Sequence, residues 1–324
     1  MKVAVGATEY VLPGPGETSE VLKAQNPDWR MDDIEKKTGV LKRHVAAPGI
    51  TAVDLAEEAT RKLLDSDRLD QEPGFLILVT QSPDYVLPTS ACVLQDRLKL
   101  PRTCMAFDVN LGCSGFVYAL AIAGGLIETG VASPGLVVCA ETYSHYIGEG
   151  DRTTRPLFSD AASATWVEAS DLDTLGPFVM GSDGAGCENL IVYGSGARGL
   201  GDGQSNGLHM DGSQVFMFTM DMVPKCVEAL LDKADLTSAD VDQYVFHQAS
   251  KLVIDNIVRR LDLEEGQVFR NYEQIGNTVS ASIPIALKDA IDEGRIRQDD
   301  TVMLVGFGVG YSWGGCLLRG GFSV

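Results

Sequence analysis

In the stretch DVNLGCSGFVY, residues 108–118, Cys113 lies between Gly112 and the pair Ser114–Gly115. A strand-like run precedes it and a long apolar run follows. A cysteine at a helix N-terminus feels the positive end of the helix dipole and its unpaired N–H groups. A free thiol near pKa 8.5 is only a few per cent thiolate at neutral pH. A helix-end effect of up to ~2 kcal/mol would bring it to about 7 and make roughly half of it thiolate. Gly112 and Gly115 let a substrate approach the backbone closely, so Cys113 is read as a nucleophile. The other six cysteines, Cys92, Cys104, Cys139, Cys187, Cys226 and Cys316, are read as buried structural residues.

Two more residues could join the thiol. His247 in YVFHQAS ends an apolar strand at the mouth of a helix, KLVIDNIVRRL. Taken alone, a strand-end histidine is more often structural. Asn277 in QIGNTVS corresponds in position to Cys113 within a repeat described below, although Asn is also an ideal helix N-cap. His44 and His209 sit in polar or Gly-rich settings and read as structural or solvated, while His145 is open. The order Cys, His, Asn also fits a papain-like protease. That reading fails on context, because no CGSCW-like run, secretion signal or paired cysteines accompany it. GSGARG at 194–199 matches a dinucleotide-binding pattern, but LGDGQSNG follows it where a helix is required.

These residues need elements to hold them. Strand-like runs FLILVT, CMAFDVN, GLVVCAE, QYVFHQ, GQVFRN and TVMLVGFG alternate with helical ones such as TAVDLAEEATRKLL, SADVDQYV and KLVIDNIVRRL. Such alternation predicts α/β layers. Residues 112–130, GCSGFVYALAIAGGLIETG, match residues 276–294, GNTVSASIPIALKDAIDEG, in length, in the opening glycine and in the closing one. Gly130 and Gly294 suit left-handed C-caps. Upstream, Thr80–Gln81 stands where His247–Gln248 stands. The pattern predicts two pseudo-equivalent halves, residues 1–170 with the cysteine and 171–324 with the histidine and asparagine. Between them, residues 181–212 hold ten glycines and read as loop that covers or lines a site.

Bulk properties narrow the class. The chain has 324 residues, 45% of them hydrophobic, and a net charge of −19. Nucleic acid and anionic membrane surfaces are disfavoured partners for so acidic a chain. Seven widely spaced cysteines without a CxxC argue against a disulfide framework or zinc site and point to the reducing cytoplasm. The longest apolar run, FVYALAIAGGLI, is too short to span a bilayer.

The stretches LGCSGFVYAL, VFHQAS, GNTVSASIPIAL and GFGVGYSWGGCLLR resemble the signatures of the β-ketoacyl-ACP synthase III family. The likeness extends to KTGVLKRHVAAP, SPDYVLPTSACVLQDRL and GDRTTRPLFSDAASA, nearly the whole chain. The resemblance implies a thiolase-like fold, two βαβαβαββ halves layered αβαβα, and a homodimer. It implies an acyltransferase that loads an acyl group from a thioester onto Cys113. Decarboxylative condensation with malonyl carried on acyl carrier protein would follow, with no metal or redox cofactor. Its setting would be fatty-acid or, more in keeping with this chain, specialised polyketide-type biosynthesis. The alternative on the same fold is acyl transfer to a hydroxyl or amine without loss of CO₂.

The resemblance also assigns roles. The N–H groups of Cys113 and of Val309, or Gly308, would form an oxyanion hole. His247 and Asn277 would hold the malonyl thioester oxygen. Leu87, Arg152, Lys37, Phe307, Gln248 and Ser250 would contact substrate, and Lys251, Arg259 and Arg260 would meet the carrier. This chain departs from the family where Asp33 replaces a stacking Trp, Lys37 an Arg, Met217 a Lys, Leu252 a carrier-docking Arg, and Leu87 an often aromatic residue.

Overall fold

The run FLILV has no polar residue on either face, so as a strand it must be covered on both sides. It holds that place in the computed structural model, which describes every residue but 67–70, 202–203, 205–206 and 321–324. Five strands form the first sheet: β1 (Val3–Val11), β2 (Phe75–Val79), β3 (Met105–Val109), β4 (Gly135–Glu141) and β5 (Ala161–Ala169). Their order is β1-β5-β4-β2-β3, with β2 parallel to β3 and β4 and with β5 antiparallel to β4 and β1. The second sheet holds β6 (Leu175–Ser182), β7 (Gln243–Phe246), β8 (Thr301–Gly308) and β9 (Ser312–Arg319). Its order is β7-β8-β9-β6, with β7 parallel to β8 and the other pairs antiparallel. GQVFRN, expected as a strand, contributes only a bridge from Val268 to Tyr244, because a 3₁₀ turn at Glu265–Gln267 takes up its start.

The main helices are α1 (Ala52–Leu64), α2 (Ser90–Arg97), α3 (Gly115–Glu128), α4 (Gly212–Ala234), α5 (Lys251–Leu261) and α6 (Ser282–Asp292). Strand side chains alternate between faces, and the alternation sorts the layers. Ile77 and Val79 of the first sheet and Val302 and Leu304 of the second pack with Phe116, Leu120, Ile283 and Leu287 of α3 and α6. Leu76 and Leu78 turn outward to Val53, Leu63 and Leu94 of α1 and α2. Met303 and Val305 turn outward to Val227, Ile254 and Ile257 of α4 and α5. The result is the expected αβαβα stack. The helix α3 is apolar around its circumference because it lies between two sheets.

Both central helices close as expected. Gly130 and Gly294 have φ of +69° and +68°. The N–H of Val131 reaches back to the Leu126 carbonyl, and that of Arg295 to the Ala290 carbonyl. Their starts differ from expectation. The helix α6 begins at Ser282, not at the glycine–asparagine pair, because Val279 has φ +54° and interrupts any helical path from Asn277. SADVDQYV is likewise not helical: Ser238–Asp240 is a 3₁₀ turn, and the rest enters β7. The Gly-rich segment is more ordered than a loop. It holds an antiparallel hairpin, Leu190–Tyr193 with Gly207–Met210, after a 3₁₀ turn at Gly184–Asn189. No described helix is long and apolar enough to cross a membrane.

Candidate active site

Cys113 stands just before α3 with 6% of its surface exposed. Strand β8 lies against it, and glycine is required there. A Cβ on Gly306 would come 2.5 Å from the Cys113 carbonyl oxygen, and one on Gly308 would come 3.0 Å from Sγ. Gly308 therefore serves by having no side chain. The backbone N–H groups of Cys113 and Val309 favour a negative charge on the sulfur. Burial outweighs them, and with the nearby Glu141 carboxylate it pushes the thiol up to about 12. The expectation of a half-ionised thiolate is thus overturned: a helix end is a weaker influence than removal from water.

His247 follows β7, and its N–H continues the sheet pairing to the Val305 carbonyl at 2.8 Å. Its ring is 5.5 Å from that of Phe307, edge to face. Nδ1 lies 2.6 Å from the Ser282 hydroxyl, which also accepts from the Gln248 N–H at 3.4 Å. Among the described residues Nδ1 is the sole acceptor for the Ser282 proton. The hydroxyl therefore donates to Nδ1, and Nε2 carries the ring proton. Burial lowers the pKa of His247 to about 3, so the imidazole is a neutral donor through Nε2.

Asn277 is anchored through its backbone to the Leu157 and Ser159 backbones, at 3.0 and 2.8 Å. Its Oδ1 accepts from the Val279 N–H at 2.9 Å. The side chain thus caps a local turn, and among the described residues its Nδ2 group meets no acceptor. Cys113, His247 and Asn277 line one cavity of about 180 Å³ together with Phe158, Leu190, Met210, Phe307 and Gly308. One nucleophile and two neutral donors in an apolar enclosure can hold an acyl group and stabilise an oxyanion beside it.

Sequence reasoning missed the groups that support this site. Glu141 ends β4 and is fully buried. It accepts from the Gln81 N–H at 3.0 Å, the Ser82 hydroxyl at 3.0 Å and the Ser280 hydroxyl at 2.9 Å. Burial nevertheless raises it to about 8. A carboxylate closing the apolar run GLVVCAE was the visible signal. Ser282 and Tyr143, which packs beside Cys113, gave no such signal, since only the fold brings them near.

The substrate-contact expectations divide. Phe307 and Ser250 line the cavity, and Ser250 also caps α5 through the Val253 N–H. Gln248 does not: its amide donates to the Phe246 and Phe269 carbonyls and accepts from the Asn271 N–H, so it braces the chain. Leu87 is 80% exposed, Arg152 and Lys37 are exposed, and none of the three lines the cavity. Lys251, Arg259 and Arg260 are exposed on α5, with Lys251 paired to Asp255 and Arg259 to Asn256. Cys92 and Cys187 are exposed, not buried as expected.

Comparison with known proteins agrees with this geometry. The family model described as 3-oxoacyl-[acyl-carrier-protein] synthase III matches residues 107–184, and the model of its C-terminal part matches residues 231–320. A β-ketoacyl-[acyl-carrier-protein] synthase III from Methylococcus capsulatus is 38% identical over 97% of this chain and 98% of its own. A 3-oxoacyl-(acyl-carrier-protein) synthase III crystal structure superposes with a TM-score of 0.95 at 41% identity, covering 98% of this chain and all of the other. The priming β-ketosynthase of the R1128 polyketide pathway superposes with a TM-score of 0.90 at 30% identity, covering 98% and 96%.

Proposed function

The chain belongs to the 3-oxoacyl-[acyl-carrier-protein] synthase III family, and from that premise we propose that Cys113, His247 and Asn277 carry a decarboxylative condensation. The reading rests on the shared cavity, where the inward bonds of His247 and Asn277 leave each with a donor to spare.

In the first step Sγ of Cys113 bonds to the acyl carbon of a thioester. The carrier's C–S bond breaks, and the carrier thiol leaves with the cysteine proton. The N–H groups of Cys113 and Val309 hold the oxygen as it becomes an oxyanion. In the second step a malonyl thioester places its carbonyl oxygen against His247 Nε2–H and Asn277 Nδ2–H. The bond to the carboxylate breaks and CO₂ leaves, so the electron pair stays on an enolate that these two donors stabilise. The enolate carbon then attacks the Cys113 acyl carbon, the C–S bond breaks, the sulfur takes up a proton from water to return to the thiol, and a 3-oxoacyl thioester departs. A neutral histidine suits this role, since its donor does not depend on pH near neutrality.

In this reading the enzyme is a homodimeric cytoplasmic acyltransferase whose two halves, residues 1–170 and 171–324, supply the sulfur and the donors. It needs no cofactor, and it serves specialised acyl assembly. Asp33, paired with Arg30 on the surface, offers no stacking ring for a nucleotide, so the primer comes on acyl carrier protein. Acylation of Cys113 by micromolar acetyl-CoA as fast as by acyl carrier protein would refute the choice of carrier.

The central test feeds labelled malonyl carrier protein to the acylated enzyme. Released CO₂ with a 3-oxoacyl product supports condensation; transfer to an added hydroxyl or amine without CO₂ supports simple acyl transfer. Asn277→Ala should lose on the order of 10²–10³ in condensation rate and still acylate itself. Equal loss of both steps would contradict the role given to Asn277.

A further inference from the structure

Two cavities lie near Cys113: the cysteine lines one, and Tyr143, which packs against it, lines the other. One holds His247 and Asn277, and the reading above gives it to the carrier's thioester arm. The other, of about 310 Å³, is lined among others by Gln81, Asn110, Tyr143, Tyr146, Leu208 and Val309. Leu190 lines both. The second begins beside the cysteine's own neighbour, for a Cβ on Gly112 would meet Val309 Cγ1 at 2.9 Å. Gln81 Oε1 lies 2.6 Å from where a Cβ on Gly112 would stand. An acyl chain whose oxygen sits between the N–H groups of Cys113 and Val309 has this second space to enter. At roughly 30 Å³ per non-hydrogen atom it has room for about ten, well beyond an acetyl group.

Its polar groups are specific. Tyr143 donates its hydroxyl proton to Gln81 Oε1 at 2.6 Å, and Tyr146 donates to the Gln81 backbone carbonyl at 3.1 Å. Both tyrosine hydroxyl protons are thereby used, and the Gln81 amide is oriented. Its Nε2 group and the Asn110 amide make no hydrogen bond among the described residues. A pure hydrocarbon chain beside the half-buried Gln81 amide would strip its water and give nothing back, while Asn110 stands exposed at the mouth. A hydroxyl or carbonyl oxygen would pair with these amides. A carboxylate would meet no cation, since no described lining residue is charged.

We propose that the acyl group carried by Cys113 is uncharged and bears a hydroxyl or carbonyl oxygen along its chain, and that Gln81 and Asn110 select it. The proposal rests on the condensing role of Cys113, but its test is separable from that role. Acyl N-acetylcysteamine thioesters in matched pairs, butyryl with 3-hydroxybutyryl and hexanoyl with 5-oxohexanoyl, are offered to the protein, and the rate of Cys113 acylation is read by intact mass. In at least one pair the oxygenated member should load about tenfold faster or more, and Gln81→Leu should abolish or reverse the preference. Asn110→Ala, at the exposed end of the cavity, provides a second variant free of the Tyr143 contact and should weaken the same preference. Equal loading within both pairs, or a preference unchanged in both variants, overturns the proposal and leaves the condensing role intact. Failure of every thioester to acylate Cys113 overturns both.

Discussion

At the scale of the residue, burial sets the chemistry of this site. Cys113 is held as a thiol, because a sulfur anion away from water and near a carboxylate is disfavoured more than two N–H groups can offset. Its reactivity should therefore appear only when a carbonyl enters. With a neutral probe such as iodoacetamide, alkylation of Cys113 should rise about tenfold per pH unit from pH 6 to 9 without levelling. A plateau near pH 7, read by intact mass, would show that the helix end prevails after all. His247 is governed the same way: with its pKa held to about 3 by burial, it does not titrate across the neutral range.

At the scale of the element, the site depends on a strand that can be approached. Alternate positions of β8, Gly306 and Gly308, face the cysteine loop, while Phe307 between them supports the His247 ring. The contacts met by a Cβ at Gly306 are backbone atoms, the Cys113 oxygen and the Ser114 Cα at 2.7 Å, which no rotamer can relieve. Gly306→Ala should lower stability by roughly 1–3 kcal/mol and slow Cys113 acylation more than Gly125→Ala, which meets nothing within 4 Å. Thermal melts and acylation rates of the two variants check this. The turn from Asn277 to Ser282 is the other demanding element. A left-handed β-branched residue, Val279, costs on the order of 1–3 kcal/mol and is kept by its surroundings. It sets Asn277 apart from α6, while Ser282 at the first turn of α6 reaches His247.

At the scale of the whole molecule, Glu141 ties together distant stretches of the chain, Gln81 and Ser82 after β2 and Ser280 just ahead of α6. Its carboxyl is held at about 8 against an ordinary 4.5. An acid whose folded pKa is raised stays protonated in the fold while the unfolded chain ionises. Its stabilising share is therefore complete below about pH 4.5 and is lost as pH climbs through about 8. The melting temperature should fall between pH 5 and 8, and Glu141→Gln should flatten that fall; identical slopes would rule the carboxyl out as its source. The repeat and its alternating runs made the layered architecture legible, because apolar strands bare of polar residues require cover on both faces. Cys113 and His247 stood out by position, just before a central helix and just after a strand, whereas Asn277, which the repeat put at a helix start, lies in the turn ahead of α6. Strands β1, β5, β6 and β9 were not: Ala, Ser, Gly and Thr fill much of them, and only sheet pairing makes such residues extended. The sequence by itself determined which elements form the core and which atoms could react. Tertiary structure alone decided their protonation and their supports, because desolvation and the Ser282, Glu141 and Gln81 contacts arise between residues far apart along the chain.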